Sequence, residues 1–239
     1  MIDRVAVTAH RGSSHSAPEN SLSAVRMAIE QGADYAEIDV QETADGVLVV
    51  LHDEDLMRVT GTAAKIWEID YGDLARLDAG SWFSEEFRGE RIPKLEEVVE
   101  LAGNRIKLNI ELKFNGHDQK LAQRVAETVG RRQFQQKCVV SSLDYDGLME
   151  ARRSDPRLKI GLVAARPIGD IAALDVDFLS VNTDIATAEL IDRARAAGKQ
   201  VHVWTVNDPE QMSALVDLGA ENIITDDPPA MIARLRQRA

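Results

Sequence analysis

Short apolar runs alternate with amphipathic stretches along the whole chain. The runs at 5–10, 35–40, 47–52, 106–112, 138–143, 159–163, 178–182, 200–206 and 222–225 predict strands. Each is short and bounded by polar or glycine-containing turns. The stretches at 21–31, 95–101, 119–129, 145–153, 188–197 and 209–218 repeat apolar residues at helical spacing. Three of them run into Gly32, Gly198 and Gly219, which suits a left-handed C-terminal cap. Strand and helix in alternation predict parallel βα units. One connection breaks the rule. Only six residues, including Asp45-Gly46, separate Val40 from Val47, whereas a parallel crossover needs about a dozen or more. The run at 47–52 therefore pairs antiparallel with 35–40 as a hairpin. Eight strands remain, the number that closes a (β/α)8 TIM barrel. The predicted fold is thus α/β: one barrel domain over 1–239, with an extra hairpin strand. A small insertion at about 54–93 caps one end, and Trp67, Trp82 and Phe83 are expected to pack it down.

Parallel strands covered by helices should read as unbroken apolar runs, and two here do not. Glu37 and Asp39 share one face of 35–40, while Ala36, Ile38 and Val40 share the other. Likewise Lys107, Asn109, Glu111 and Lys113 oppose Leu108, Ile110 and Leu112. Side chains alternate across a strand. The apolar set must meet the helices, so the charged set points into the barrel. Burying an unpaired carboxylate costs several kcal/mol in practice. Glu37, Asp39 and Glu111 therefore need a compensating charge. One divalent cation, Mg²⁺ or Ca²⁺, suits an all-oxygen donor set. A salt-bridge network with Lys107 or Lys113 is the competing account, and Lys107 is expected to be structural, at the barrel floor.

Two histidines, His10 and His52, end apolar strands, where barrel active sites gather. An imidazole titrates near neutrality and suits proton transfer. Arg11 and Lys113 follow in the same turn or strand as His10 and Glu111, and such cations suit a phosphoryl group. His15 and His117 are expected at the surface, and His202 packed within its strand.

Composition narrows the field. The formal net charge is −12, which argues against general nucleic-acid binding. Aromatics are only 5% of residues within a 44% hydrophobic fraction, so aliphatic side chains must fill the core. Cys138, the one cysteine, sits in an apolar run and is expected to be a buried hydrophobe. No disulfide within the chain can form, and a reducing, cytoplasmic compartment fits. The N-terminal residues show no leader pattern, and no apolar run reaches membrane-spanning length.

His10-Arg11-Gly12, Pro18-Glu19-Asn20, Glu37-Ile38-Asp39-Val40, Thr43-Ala44-Asp45-Gly46 and His52-Asp53 resemble, in order and spacing, the signature of the glycerophosphodiester phosphodiesterases. Glu111-Leu112-Lys113, Val203-Trp204-Thr205-Val206-Asn207 and Ile224-Thr225-Asp226 are similar to its later motifs. Ser21 stands where many members carry threonine. The resemblance implies a (β/α)8 barrel with an insertion after the His-Asp block. It also implies hydrolysis of small glycerophosphodiesters to sn-glycerol 3-phosphate and an alcohol. Glu37, Asp39 and Glu111 would be metal ligands, His10 and His52 the acid–base pair, and Arg11 and Lys113 the phosphate holders. Trp204 would line the glycerol or alcohol pocket, and Glu19 and Asn20 would orient the groups in front of them. Two routes stay open, direct attack by water or attack by the neighbouring glycerol hydroxyl through a cyclic phosphate. Competing readings are a related barrel enzyme acting on lysophospholipids or sphingomyelin, and a non-catalytic binding domain. The segment after His10 and the insertion also resemble a bacterial subgroup in which the domain can be fused to a membrane region. The sequence leaves open whether the chain forms a homo-oligomer.

Overall fold

A computed structural model describes residues 5–238. The first four residues, part of the stretch read for a leader, lie outside the described residues. Among the described residues nine strands form: β1 (Ala6–Ala9), β2 (Tyr35–Glu42), β3 (Leu48–Val50), β4 (Lys107–Leu112), β5 (Cys138–Ser142), β6 (Lys159–Ala164), β7 (Phe178–Asn182), β8 (Gln200–Trp204) and β9 (Asn222–Thr225). The helices are α1 (Leu22–Gln31), α2 (Met57–Thr60), α3 (Tyr71–Leu74), α4 (Leu95–Ala102), α5 (Leu121–Arg131), α6 (Tyr145–Ser154), α7 (Ala188–Ala196), α8 (Pro209–Leu218) and α9 (Pro228–Arg238). Among the described residues no helix is long and apolar enough to cross a membrane.

The strands pair in the order β1-β9-β8-β7-β6-β5-β4-β2, and β1 also pairs with β2, so eight parallel strands close a ring. β3 lies outside it, antiparallel to β2 with Val40 opposite Val50. The predicted hairpin and barrel are both present. Several strands stop short of their predicted ends. The early ends of β1 and β3 leave His10 and His52 in the turns that follow them. α9 was not expected. It opens on two prolines, which lack the amide hydrogens that a first turn leaves unpaired anyway, and its Met231 is buried.

The ring separates two environments. Ile38, Leu108, Ile110 and Leu112 face the helices and are buried, and they belong to one aliphatic cluster that includes Val25, Leu95 and Val125. The inside carries polar pairs below the strand ends. Thr8 Oγ1 donates to Asn222 Oδ1 at 2.8 Å and Ser141 Oγ to Asn109 Oδ1 at 2.9 Å. Lys107 is exposed at the start of β4, its Nζ over the Tyr35 ring, as expected for a floor residue. Cys138 is buried, and burial pushes its thiol up to about 12.

The 54–93 segment has its own smaller apolar cluster. Leu56, Val59, Ile66, Leu74 and Ile92 pack there on Val49 and Leu51. Trp67 borders this cluster and stacks on His117 at 4.2 Å. The expectation for Trp82 and Phe83 is corrected. Trp82 is 41% exposed and meets Phe83 edge-on, while Phe83 meets Phe87 the same way. The reason is local. Asp78 accepts from the backbone amides of Gly80, Ser81 and Gly89, closing 78–89 into a compact loop. Its aromatics then pack on one another, and the aliphatic residues hold the segment down.

Leu56→Ala should therefore cost about 2–5 kcal/mol, measured by urea unfolding. Amide exchange should accelerate chiefly across 54–93; equal acceleration in β4 and β5 would show that the segment has no separate core.

Candidate active site

The register places Asp39 opposite Glu111 and Glu37 opposite Asn109 on adjacent strands. A ligand atom from each of Glu37, Asp39 and Glu111 lies within 4.8 Å of the others. Glu37 and Asp39 are buried. Glu37 Oε2 accepts from the Arg11 amide at 2.8 Å, whereas its Oε1 is buried with no hydrogen-bond partner among the described residues. Asn20, with a positive φ of 57°, holds Asp39 at two points. Its Nδ2 donates to Asp39 Oδ2 at 2.8 Å and its Oδ1 accepts from the Asp39 amide at 3.1 Å. Asparagine tolerates that left-handed backbone better than most residues. Lys113 Nζ stands 2.9 Å from Glu111 and 3.6 Å from Asp39. Arg11 Nε is 3.5 Å from Asp39 and Nη1 is 2.8 Å from Glu19.

The three acids sit under opposed pressures. Burial pushes Glu37 well above the usual carboxylate range, and the charges of Asp39 and Glu111 add to it. Glu111 is raised by burial and by Asp39. Asp39 feels burial too, but Lys113, His52, Arg11 and Asn20 outweigh it and hold its carboxyl below the ordinary value. Arg11 and Lys113 offset the cluster only in part. The oxygen-only donor set and the orphaned Oε1 of Glu37 fit a hard divalent cation.

His10 and His52 share a solution. His10 Nδ1 lies 2.7 Å from Asp226 Oδ1, and His52 Nδ1 lies 2.8 Å from Asp53 Oδ1. Asp226 also accepts from Ser14 Oγ at 2.9 Å and Asn207 Nδ2 at 2.6 Å. Burial works against its ionised form, but these hydrogen bonds bring the acid down to about 2. Asp53 is likewise brought to about 2, with Arg58 and His52 outweighing burial. Gln41 Nε2 donates to the carbonyls of Leu51, His52 and Asp53, fixing the turn that carries His52.

Both imidazoles line one cavity of about 180 Å³ with Arg11, Glu37, Asp39, Glu111, Lys113 and Trp204. Trp204 Nε1 is buried there without a hydrogen-bond partner among the described residues. Glu19 and Asn20 stand behind that wall, on Arg11 and Asp39. The residues proposed from the sequence for the site, His10, Arg11, Glu37, Asp39, His52, Glu111, Lys113 and Trp204 with Glu19 and Asn20, thus lie at or directly behind one cavity. His15 and His117 are exposed. His202 is buried against Phe178, with ring centroids 4.4 Å apart. The roles of Asp53, Asp226, Gln41 and Arg58 were not foreseen. Asp53 and Asp226 fall inside quoted motifs, but no spacing rule connects His10 with a partner 216 residues away.

These observations define a TIM barrel with its polar chemistry at the C-terminal ends of the strands. The profile of the glycerophosphoryl diester phosphodiesterase family matches residues 10–230, and the chain belongs to that family. It is 36% identical over 241 residues to a glycerophosphodiester phosphodiesterase of Caldanaerobacter subterraneus subsp. tengcongensis, covering 97% of this chain and 98% of that one. A phosphodiesterase of Oleispira antarctica, solved with the product sn-glycerol-3-phosphate, superposes with a TM-score of 0.91 at 30% identity, over 97% of this chain and 96% of that one. A glycerophosphodiester phosphodiesterase of Agrobacterium tumefaciens superposes at 0.84 with 27% identity, over 96% and 99%.

His202 generates a pH prediction. Burial holds its imidazole down to about 3, whereas in the unfolded chain it protonates near 6.5. The unfolded state thus binds the extra proton in between. The contribution of neutral His202 is complete above about 6.5 and drains away as pH falls towards 3. Between pH 6.5 and 5, wild type should lose about 1.5 kcal/mol more stability than His202→Gln in urea unfolding. Identical slopes for the two proteins would contradict this.

Proposed function

We propose that the protein hydrolyses small glycerophosphodiesters to sn-glycerol 3-phosphate and an alcohol, using Glu37, Asp39 and Glu111 to hold one divalent cation, Mg²⁺ or Ca²⁺. The observation that carries the reading is the convergence of three carboxylates, two carboxylate-backed imidazoles and two basic side chains on one cavity. The match to the family over nearly the whole chain supports it. So does the product carried by the Oleispira enzyme. The lysophospholipid and sphingomyelin alternatives are not favoured, since the relatives described above act under the glycerophosphodiester or phosphodiesterase name.

Charge explains the assembly. Glu37, Asp39 and Glu111 carry three negative charges when ionised, and Arg11 and Lys113 return two positive ones. A bound divalent cation turns that excess of one negative charge into one positive charge, matching a phosphodiester monoanion. When bound, the cation supplies Lewis-acid polarisation of a phosphoryl oxygen. Arg11 and Lys113 reach the same oxygens as cationic donors and neutralise charge that builds there. Trp204 offers its unpaired Nε1–H beside an apolar ring, a fit for an oxygen on the glycerol or alcohol.

Asp226 and Asp53 occupy the Nδ1 atoms of the two histidines, leaving each Nε2 as the working atom. In the proposed sequence one Nε2 takes the proton of the glycerol hydroxyl next to the phosphate. That oxygen bonds to phosphorus, the bond to the alcohol oxygen breaks, and the departing alcohol takes a proton from the other imidazole. Water then opens the cyclic phosphate with the roles exchanged.

The test measures glycerol 3-phosphate release from glycerophosphocholine and glycerophosphoethanolamine, with and without chelator. His10→Ala and His52→Ala should each lower kcat by about 10²–10⁴-fold, and chelator should abolish turnover until Mg²⁺ or Ca²⁺ is restored. Activity indifferent to chelator and to both substitutions would overturn the reading. A cyclic glycerophosphate trapped at early times supports the hydroxyl route; direct solvent-oxygen incorporation without it points to water.

A further inference from the structure

Arg58, in the 54–93 segment, hydrogen-bonds to both Glu19 and Asp53, the acids behind Arg11 and His52. It lies on α2, beyond the apolar anchor Leu56. Its Nη1 donates to Glu19 Oε2 at 2.8 Å and its Nη2 to Glu19 Oε1 at 2.7 Å, a two-point grip. Its Nε donates to Asp53 Oδ2 at 2.6 Å. Each acid passes the contact inward. Glu19 accepts from Arg11 Nη1 at 2.8 Å, and Asp53 Oδ1 meets His52 Nδ1. The Trp82 ring lies 5.7 Å from the guanidinium carbon, which gives that half-exposed indole a place in the arrangement.

We infer that Arg58 is a positioning residue and that the segment serves catalysis through it, by setting the His52 imidazole and the Arg11 guanidinium together from a single guanidinium. A planar fork with fixed donors suits this task. It can satisfy one carboxylate with two nitrogens and another with the third, whereas an ammonium offers no such fixed directions. Without Arg58, Glu19 is left with Arg11 alone, and Asp53 with His52 alone. Both acids gain freedom to turn, and the groups they hold lose a fixed orientation. None of these contacts involves His10, whose Nδ1 is held by Asp226, so the effect should fall on His52 and Arg11 and spare the His10 imidazole.

This inference rests on the proposed activity for its kinetic arm only, and a second measurement stands apart from turnover. Arg58→Ala, Arg58→Lys and Trp82→Ala are compared with wild type on glycerophosphocholine, alongside melting temperature. Arg58→Ala should lose about 10–100-fold in kcat/KM, the scale seen when an orienting partner behind a site is removed. Added guanidinium should recover part of that loss, Arg58→Lys should remain poor, and Trp82→Ala should show a smaller loss. In NMR spectra the Nδ1–H resonance of His52, assigned by its absence in His52→Gln, should broaden or vanish in Arg58→Ala while the His10 resonance persists. If wild type proves inactive but the His52 resonance still responds, the activity reading fails and the positioning inference stands. If wild type is active and Arg58→Ala stays within twofold with an unchanged resonance, the inference is overturned. It is equally overturned if the loss follows a lowered melting temperature, both histidine resonances change together and guanidinium restores nothing.

Discussion

Glu37, Asp39 and Glu111 repel one another in a place where little water can screen them, and most of the surrounding structure answers that repulsion. The in-register pairing of β2 with β4 forces the contact, since Asp39 and Glu111 are opposite residues on neighbouring parallel strands. A slip of one residue would turn the acids towards the helices and Ile38 and Ile110 into the cavity. The apolar outer face therefore enforces the acidic inner one. The aliphatic layer between ring and helices supplies the stability, and the register it selects concentrates charge inside. Lys113, Arg11 and the amide of Arg11 each lean on a member of the cluster, yet Glu37 keeps an oxygen without a hydrogen-bond partner among the described residues.

The loop after β1 is shaped by the same demand. To bring the Arg11 amide to Glu37, the chain turns through positive φ at Arg11 and Gly12. The Gly12 amide then donates to the Glu37 carbonyl at 3.0 Å. A methyl group at Gly12 would come within 2.6 Å of the Ala24 Cβ and 2.7 Å of its backbone carbon. Glycine is required there by both the torsion and the closeness of α1. That fixed turn aims Arg11 at Asp39 and sets His10 where Asp226 can reach it from the far end of the chain.

Much of this was legible in the sequence because the physics involved is periodic. Alternation along 35–40 and 106–112 shows which side chains share a face, and the short span between Val40 and Val47 allows only a hairpin. Those two readings imply the barrel and the acids inside it. What escaped was aperiodic. The partner of His10 is supplied by ring closure, which joins residues at opposite ends of the chain. Arg58 lies in a segment with weak periodicity, held by a separate cluster of scattered aliphatic residues. Trp82 departs from expectation because a large aromatic in an insertion suggests an anchor, whereas the loop closed by Asp78 folds its aromatics onto one another.

The chain's net charge of −12 bears on how such a site can take an anion. The summed field of an acidic protein opposes an approaching phosphodiester, and salt weakens that opposition only beyond about 10 Å. Attraction must therefore come from within the cavity, at distances where nearby groups outweigh the distant surface. Lysines alone could supply it, but each added ammonium would need room and would neutralise only one carboxylate. A compact double charge held by existing oxygens does more in less space. Under the proposed reading, the inward acids let an acidic protein present a small positive spot to its substrate while its remaining surface stays negative.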